Sequence, residues 1–184
     1  MLSRVERGQH RILHPRPVYL VVSKHGDRVN VMAASWVTPV SEEPPRIALA
    51  LDRETYTYRL VRESGYFTVN VVGEDMVDAV WIAGTVSGEE RDKVGLIGLR
   101  LAESEKVPVP HVEGCLGYIG AKVWRTMDVG DAELVVADVV EAYADPSLFD
   151  PRKGWYLAKA RVLLHGAGRV FATTGRILYP SRRG

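Results

Sequence analysis

Three short segments of the chain combine small residues, hydroxyl groups and cations in a way that suits a flat ligand carrying a phosphate. The first is Asn-Val-Met-Ala-Ala-Ser-Trp at residues 30–36, where the alanines leave room beside a strand and Ser35 offers a hydroxyl. The second is Asp-Arg-Glu-Thr-Tyr-Thr at 52–57, which leads into a predicted helix whose N-terminus favours an anion. The third is Ala-Gly-Thr-Val-Ser-Gly at 83–88, followed by Arg-Asp-Lys at 91–93, and it offers hydroxyls, backbone donors and cations.

Each of these segments also has a purely structural interpretation. The alanines can serve tight packing on a strand, and Thr-Tyr-Thr can be a helix cap and nothing more. The Ser-Gly loop can be a plain connection, with Lys93 in solvent. The occurrence of all three segments in one chain, in this order, favours a ligand site.

Other motifs that could do chemistry are weaker. No Gly-X-Gly-X-X-Gly or Walker loop follows a predicted strand, and the run at 166–171 lacks the third glycine, so a Rossmann dinucleotide site is not expected. Cys115, on a predicted apolar strand, is expected to be a small buried hydrophobe. His10 and His14 have helical spacing but no third ligand, so two solvated histidines are expected and no metal site. The glycines at 114–120 are expected to relieve crowding at bends.

The elements that would position the three segments are mostly short antiparallel strands. Residues 18–23 and 29–36 are predicted to form a hairpin around the turn at 24–28. Residues 41–45 break the chain, and residues 47–51 form the next strand, with large residues alternating with alanines.

Short helices interrupt these strands. Residues 52–55 are expected to enter a helix with Tyr58, Leu60 and Val61 on its inner face and Gly65 as its stop. Further along, a half-buried strand is predicted at 67–71, a helix at 74–84, a short helical piece at 89–94, and strands at 116–126, 133–143 and 156–164. This pattern predicts a mainly β protein with small helices, arranged as a small barrel.

Length and composition limit the class of protein. The 184 residues fit a single domain spanning 1–184, with residues 1–15 as an N-terminal extension. A net charge of +1 gives no basic field for nucleic acid, and only Arg182 and Arg183 are locally basic. The single cysteine excludes an internal disulfide and predicts a reducing cytoplasm. No signal peptide or apolar run of about 20 residues is present, so no membrane association is expected.

The motifs resemble those of the flavin reductase-like, FMN-binding split-barrel family, especially its flavoredoxin-type branch. The similarity rests on the 30–36 run, on Thr-Tyr before a helix and on Glu-Ser-Gly-Tyr-Phe-Thr-Val-Asn-Val at 63–71. Thr-Val-Ser-Gly-Glu-Glu-Arg-Asp-Lys at 85–93 and Gly-Arg-Ile-Leu-Tyr-Pro-Ser-Arg at 175–182 are similar too, so the resemblance covers Arg16 to Arg182. It implies a six-stranded antiparallel Greek-key split β-barrel that forms a homodimer, with FMN near the subunit interface.

The resemblance also implies a set of FMN-binding residues. Residues 30–36 would line the isoalloxazine and the start of the phosphate tail, and residues 50–52 would give main-chain contacts. Tyr56 and Thr57 would lie at the phosphate, residues 83–88 would wrap the ring edge, and Lys93 would balance charge. The full set is Asn30, Val31, Met32, Ala33, Ala34, Ser35, Trp36, Ala50, Leu51, Asp52, Tyr56, Thr57, Ala83, Gly84, Thr85, Val86, Ser87, Gly88, Lys93 and His165.

Two positions in this set need comment. His165 matches a region close to the flavin in this branch, and it is either a ligand contact or a hydrogen-bonded structural histidine. Some members of the family carry threonine where this chain has Ala33 or Ala34, so a hydroxyl contact there would be missing or replaced by backbone.

The resemblance implies an NAD(P)H-dependent FMN reductase, in which a reduced nicotinamide passes hydride to the flavin and no side-chain base is required. Three alternatives stay open. One is a flavoredoxin-like electron-transfer protein reduced by a protein partner. Another is an oxidase of the pyridoxamine phosphate type, although no arginine-rich phosphate site is evident. The last is a barrel without flavin.

Overall fold

The computed structural model describes residues 2–180, so Met1 and residues 181–184, with Arg182, Arg183 and the end of the 175–182 motif, lie outside the described residues. The strands are β1 (Arg16–Pro17), β2 (Tyr19–His25), β3 (Arg28–Ala34), β4 (Val37–Glu42), β5 (Pro45–Asp52), β6 (Tyr66–Val71), β7 (Leu101–Ala102), β8 (His111–Val112), β9 (Gly117–Asp128), β10 (Ala132–Ala144), β11 (Phe149–Asp150), β12 (Gly154–Trp155), β13 (Leu163–Ala167) and β14 (Val170–Thr173). The α-helices are α1 (Tyr56–Ser64), α2 (Val77–Thr85), α3 (Lys93–Ile97) and α4 (Leu157–Ala160), and Gln9–Leu13 and Glu74–Met76 are 3-10 helices.

The main sheet has seven antiparallel strands in the order β3-β2-β6-β9-β10-β5-β4. Side chains from six of these strands meet in one buried cluster, which requires the sheet to curl around them: Val21, Ala34, Leu49, Phe67, Ala121 and Val135. The mainly β prediction is therefore confirmed, with seven strands in this sheet where six were expected.

The curled sheet has an open seam between its two edge strands. Only Ser35 and Trp36 separate β3 from β4 along the chain, yet within residues 2–180 the two strands share no hydrogen-bonded ladder. An edge strand leaves backbone N–H and C=O groups free for a ligand. The seam thus opens at the 30–36 segment that the sequence singles out.

Strand β6 is buried on both faces, whereas a half-buried strand was predicted. Residues 67–70 are all buried, including the polar Thr68 and Asn70. The outer face is covered by the segment before β9, because the Thr68 hydroxyl donates to the Pro110 carbonyl (2.8 Å) and the Val112 N–H donates to Asn70 Oδ1 (2.8 Å). The amide and hydroxyl are satisfied by backbone that local sequence does not reveal.

Helix α1 begins and ends as the sequence predicts. The Thr55 hydroxyl accepts a hydrogen bond from the Tyr58 N–H (3.3 Å), and Gly65, with φ 74°, donates its N–H to the Val61 carbonyl (2.8 Å). Leu60 and Val61 are buried against the sheet. The predicted helix at 74–84 is present as a 3-10 turn followed by α2.

We expect Thr55→Ala to lower the free energy of unfolding by about 1 kcal/mol, because the first turn of α1 loses its capping acceptor. Urea unfolding followed by circular dichroism measures this change. Thr55→Ser keeps the hydroxyl and serves as the control, so an equal loss in both variants would contradict the capping role.

Two predicted elements differ from the structure, and one strand was not predicted. The short helical piece lies at Lys93–Ile97 and not at 89–94, because the Asp92 carboxylate accepts from the Gly95 N–H and sets the helix start there. The predicted strand at 156–164 contains α4, and β13 begins only at Leu163 after Arg161 adopts a left-handed conformation (φ 46°). Strand β4 was missed, and only two residues at 43–44 separate it from β5.

Among residues 2–180, none of the helices has the length and hydropathy needed to span a bilayer.

Candidate functional site

A cleft of about 220 Å³ lies between β3, α2 and the β13–β14 hairpin, and we call it the α2 cleft. Its lining residues are Val18, Ala33, Ser35, Val80, Trp81, Gly84, Thr85, His165, Gly168 and Phe171. Helix α2 can approach β3 closely because residue 84 is a glycine. A Cβ at this position would lie only 3.2 Å from the Cβ of Ala33. The predicted residues Ala33, Ser35, Gly84, Thr85 and His165 thus share one concave, partly apolar surface with two hydroxyls.

The three chemistry-bearing segments meet at the other end of β3. Asn30 donates from Nδ2 to the hydroxyl oxygen of Thr57 in α1 (2.7 Å), and both side chains are buried. Gly88, from the loop after α2, packs directly on Asn30 and Tyr56, since a Cβ there would lie 2.1 Å from Asn30 Oδ1 and 3.0 Å from Tyr56 Cδ1. A second cavity, of about 550 Å³, adjoins this point and is bordered by Tyr56, Gly88 and Arg91.

We expect Thr57→Val to lower the free energy of unfolding by about 1–3 kcal/mol, because the buried Asn30 amide loses its acceptor while the volume of residue 57 is kept. Urea unfolding of the apoprotein measures the change. In an Asn30→Ala background the same substitution is expected to cost less, and full additivity of the two substitutions would contradict the assigned hydrogen bond.

Lys93 is buried, not solvated, with 5% of its surface exposed. Its ammonium donates to the Ala83 carbonyl in the last turn of α2 (2.9 Å), where a helix favours positive charge. Within residues 2–180 no carboxylate forms an ion pair with it, and burial lowers its pKa to about 8. The chain therefore keeps a cation beside the 83–88 segment that has no protein anion to balance it.

Several other predicted residues lie on β3 and β5, where their main chain matters more than their side chains. Strand β5 continues past its last partner in β4, and the Ala50 N–H donates to the Trp36 carbonyl (3.0 Å), which links two of the segments. The side chains of Leu51, Val31 and Ala34 belong to the buried cores, so only their main chain could reach a ligand.

Other members of the predicted set are engaged locally. The Asp52 carboxylate accepts from the Glu54 N–H (2.8 Å), and the Ser87 hydroxyl accepts from the Glu89 N–H (3.3 Å). The Thr85 hydroxyl donates to the Trp81 carbonyl one turn earlier (2.8 Å). Met32 is half-buried on the barrel core, and Val86 follows the last residue of α2.

His165 lies in β13 at the side of the α2 cleft, where both interpretations of this residue have support. Its Nε2 is 3.2 Å from the Gly168 carbonyl, and its ring lies 5.5 Å from that of His14 and 5.3 Å from that of Phe171 (centroid distances). The residue is thus held by a hydrogen bond and also faces the cleft.

The N-terminal segment adds an aromatic wall that the sequence did not reveal. His10, in the first 3-10 helix, lies between His14 (6.3 Å) and Trp36 (5.7 Å), and His14 reaches His165. Both ring nitrogens of His14 are buried and have no hydrogen-bond partner among the described residues, so the prediction of two solvated histidines is wrong for His14. Only the helical spacing of the two histidines could have hinted at this arrangement.

The motifs set aside in the sequence have structural roles. A Cβ on Gly117 would lie 2.6 Å from the Tyr143 carbonyl, and one on Gly120 would lie 2.8 Å from Glu141 Oε1, so these glycines do relieve crowding. Cys115 was predicted to be buried on a strand, but it lies before the first residue of β9 and is half-buried. Burial raises the pKa of its thiol. Within residues 2–180, no group of three or more His, Cys, Asp or Glu side chains is placed to hold a metal ion.

The chain belongs to the flavin reductase-like domain family, whose family model matches residues 10–173. Its fold is the FMN-binding split barrel of that family. Among curated relatives, an uncharacterized protein of Pyrococcus abyssi is 40% identical over 131 residues, which are 71% of this chain and 75% of that protein.

Two solved structures define the similarity further. The flavoredoxin of Desulfovibrio vulgaris (Miyazaki F) superposes with a TM-score of 0.84 and 26% identity, covering 98% of each chain. The FMN-binding domain of a flavin reductase-like enzyme from Shewanella baltica gives a TM-score of 0.81 and 26% identity over 97% of each chain.

The residues of this chain are chemically suited to FMN. Close approach at Gly84 and Gly88 leaves backbone without side chains beside the cleft and the Asn30–Thr57 pair. Hydroxyl and amide groups match the polar edge of a flavin, and the unbalanced ammonium of Lys93 matches a phosphate or an electron-rich ring.

Proposed function

We propose that this protein binds FMN and passes electrons from a reduced nicotinamide nucleotide through it to an acceptor, as an NAD(P)H-dependent FMN reductase. The observation that carries the proposal is the arrangement along β3, with the Asn30–Thr57–Gly88 contact at one end and the α2 cleft at the other, and with the Lys93 ammonium on the Ala83 carbonyl of α2. A flavin nucleotide has the same two parts, an anionic tail and a flat ring.

In this proposal the chain binds FMN, orients it and shields it from water, and bound FMN supplies the hydride-accepting chemistry. Tyr56 and Thr57 hold the phosphate tail, and the main chain and hydroxyls of 83–88 hold the polar edge of the ring. Lys93, bonded to the Ala83 carbonyl, balances the negative charge of the cofactor. Ala33 and Gly84, which both line the α2 cleft, form part of the surface on which the ring lies. Donors and a cation placed before the reaction stabilise negative charge that grows at the ring edge.

An anaerobic absorption titration of the FMN-loaded protein with NADPH and then NADH tests the function. Bleaching of the flavin bands at a catalytic rate is the expected result, and the more effective donor gives the nucleotide preference. Flavin that stays oxidised with both donors but bleaches with dithionite would overturn the reductase proposal.

The second candidate is an electron-transfer flavoprotein that keeps its FMN and is reduced by a protein partner. The similarity to flavoredoxin over 98% of the chain favours it. Retention of flavin through purification together with no response to either nucleotide would select this candidate over the reductase.

We also propose that the protein acts as a homodimer. An apolar groove of about 560 Å³ lies on the barrel and is bordered by Tyr19, Pro39, Tyr118, Phe149 and Trp155 among others. Trp36 and Trp124 are more than 40% exposed, which is unusual for such large apolar groups unless a partner covers them. Light scattering after gel filtration is expected to give twice the chain mass of 20.4 kDa, and a value of 20.4 kDa would rule the dimer out.

A cytoplasmic location stays a prediction from the single cysteine.

A further inference from the structure

The turn between β13 and β14 holds an arginine over the edge of the α2 cleft. The guanidinium carbon of Arg169 lies 5.2 Å from the ring centroid of Trp81, and Trp81 lines the cleft. Gly168, which precedes the arginine and also lines the cleft, has φ 56°, a conformation that favours glycine. The exposed guanidinium therefore lies beside the cleft, next to two of its lining residues.

The charge of Arg169 is not balanced by an ion pair within residues 2–180. Asp78, the one acid of α2, lies one turn before Trp81 and forms none with it. The other titratable groups that border this side of the cleft are the imidazoles of His165 and, behind it, His14, which are neutral or positive. An anionic group on a ligand would therefore meet a cation here.

Arg169 lies at the ring end of the proposed flavin site and not at its phosphate end. Asn30 and Ser35 mark the two ends, and five residues of extended strand separate them by about 16 Å. The Trp81 and Gly168 contacts place Arg169 beside Ser35, whereas Tyr56 lies beside Gly88, next to Asn30. A second anion, distinct from the FMN phosphate, is the ligand that fits.

We propose that Arg169, held by Trp81, binds a phosphate of the nicotinamide dinucleotide that reduces the flavin. This inference rests on the proposed reductase function and adds to it the residue that recognises the donor. A guanidinium that lies over an aromatic face keeps its N–H groups free in its own plane, where they can donate to two phosphate oxygens. Both the pyrophosphate and the 2′-phosphate of NADPH have this chemistry.

The test measures binding of the redox-inert NADP⁺ and NAD⁺ to the oxidised FMN-loaded protein by isothermal titration calorimetry. For Arg169→Ala we expect a Kd about tenfold higher, as for the loss of one charge-assisted hydrogen bond at an exposed site. A rise for both nucleotides assigns the contact to the pyrophosphate, and a rise for NADP⁺ alone assigns it to the 2′-phosphate. Arg169→Lys, which keeps the charge, is expected to lie between wild type and Arg169→Ala.

Arg125→Ala is the matched control, because Arg125 also lies over a tryptophan, 4.6 Å from the Trp124 ring centroid, but borders neither the α2 cleft nor the cavity beside Gly88. It is expected to leave both Kd values unchanged. In turnover assays Arg169→Ala is expected to raise KM about tenfold with kcat unchanged, the pattern of lost uniform binding.

Unchanged nucleotide Kd values in Arg169→Ala would overturn the inference, and so would a tenfold weaker FMN affinity, which would assign Arg169 to the flavin. The failure of the proposed function has a different signature. Wild-type protein that binds NADP⁺ but does not oxidise NADPH is no reductase, while the Kd values of the Arg169 variants still decide the binding role. Wild-type protein that binds neither nucleotide would overturn both the proposed reductase function and the proposed role of Arg169.

Discussion

Gly88→Ala is expected to weaken FMN binding by at least about a hundredfold while the barrel stays folded. The added Cβ would lie 2.1 Å from Asn30 Oδ1, so the loop after α2 must move away from Asn30 and Tyr56. Overpacking of this kind costs about 1–3 kcal/mol, and the displaced loop also carries the backbone proposed to hold the ring edge. Titration of the apoprotein with FMN, followed by the quenching of flavin fluorescence, measures the affinity.

Gly175→Ala is the control for this substitution, because a Cβ at Gly175 would meet no atom within 4 Å. It is expected to leave FMN affinity and stability unchanged. If Gly88→Ala folds and binds FMN as tightly as the wild type, the loop at 83–88 does not hold the cofactor, and the proposed placement of the ring edge is wrong.

Lys93→Met is expected to have opposite effects on the empty and on the FMN-bound protein. In the apoprotein the buried ammonium is charged at neutral pH although burial disfavours it, and its pKa falls from 10.5 to about 8. Replacing it with an apolar side chain of similar length is expected to stabilise the apoprotein, by at most about 3 kcal/mol. The same substitution is expected to weaken FMN binding about thirtyfold, because the ligand anion loses its cation.

The pH dependence follows from the direction of the pKa shift. The folded chain releases the Lys93 proton near pH 8, whereas the unfolded chain keeps it to about pH 10.5, so the unfolded state binds more protons in this interval. The free energy of unfolding of the apoprotein, relative to Lys93→Met, is therefore expected to rise with pH from about 8 to 10.5. FMN affinity is expected to fall as the pH rises, because Lys93 loses its positive charge.

Urea unfolding and FMN titration at pH 7, 8 and 9, on wild type and Lys93→Met, measure both trends. Lys159→Met, at an exposed lysine of α4, is the control and is expected to change neither. A wild-type FMN affinity that does not change from pH 7 to 9, or a Lys93→Met variant with undiminished FMN affinity, would show that Lys93 does not face the cofactor anion.

Local sequence predicted the elements whose signals are local. Thr55 and Gly65 mark the two ends of α1 because a cap hydroxyl and a left-handed glycine act within one helical turn. Apolar runs, hairpin turns and, at 47–51 and 67–71, alternation of residues located most of the strands of the main sheet. Strand β13 was placed too early, because α4 and the left-handed Arg161 interrupt a run whose composition resembles a strand.

Burial of polar groups could not be predicted in this way. Lys93 and His14 both look like surface residues in the sequence. In the structure Lys93 is only 5% exposed, and both ring nitrogens of His14 are buried, with the His165 ring 5.5 Å away. The same holds for Asn70, whose amide is satisfied by Leu20 and Val112, 50 and 42 residues away. A pattern of neighbouring residues carries no information about a contact made over such separations.

The sequence by itself determined the family, the three segments that carry the proposed site and the residue types suited to FMN, because these depend on side-chain chemistry in short, contiguous runs. Only the tertiary structure decided which of those residues meet. Curling of the sheet leaves β3 and β4 as edge strands, which opens the seam. Packing of α1 and the loop after α2 beside β3 joins Asn30, Thr57 and Gly88. Pairing of β1, in the N-terminal segment, with β13 of the β13–β14 hairpin places His14 and Arg169 beside the cleft.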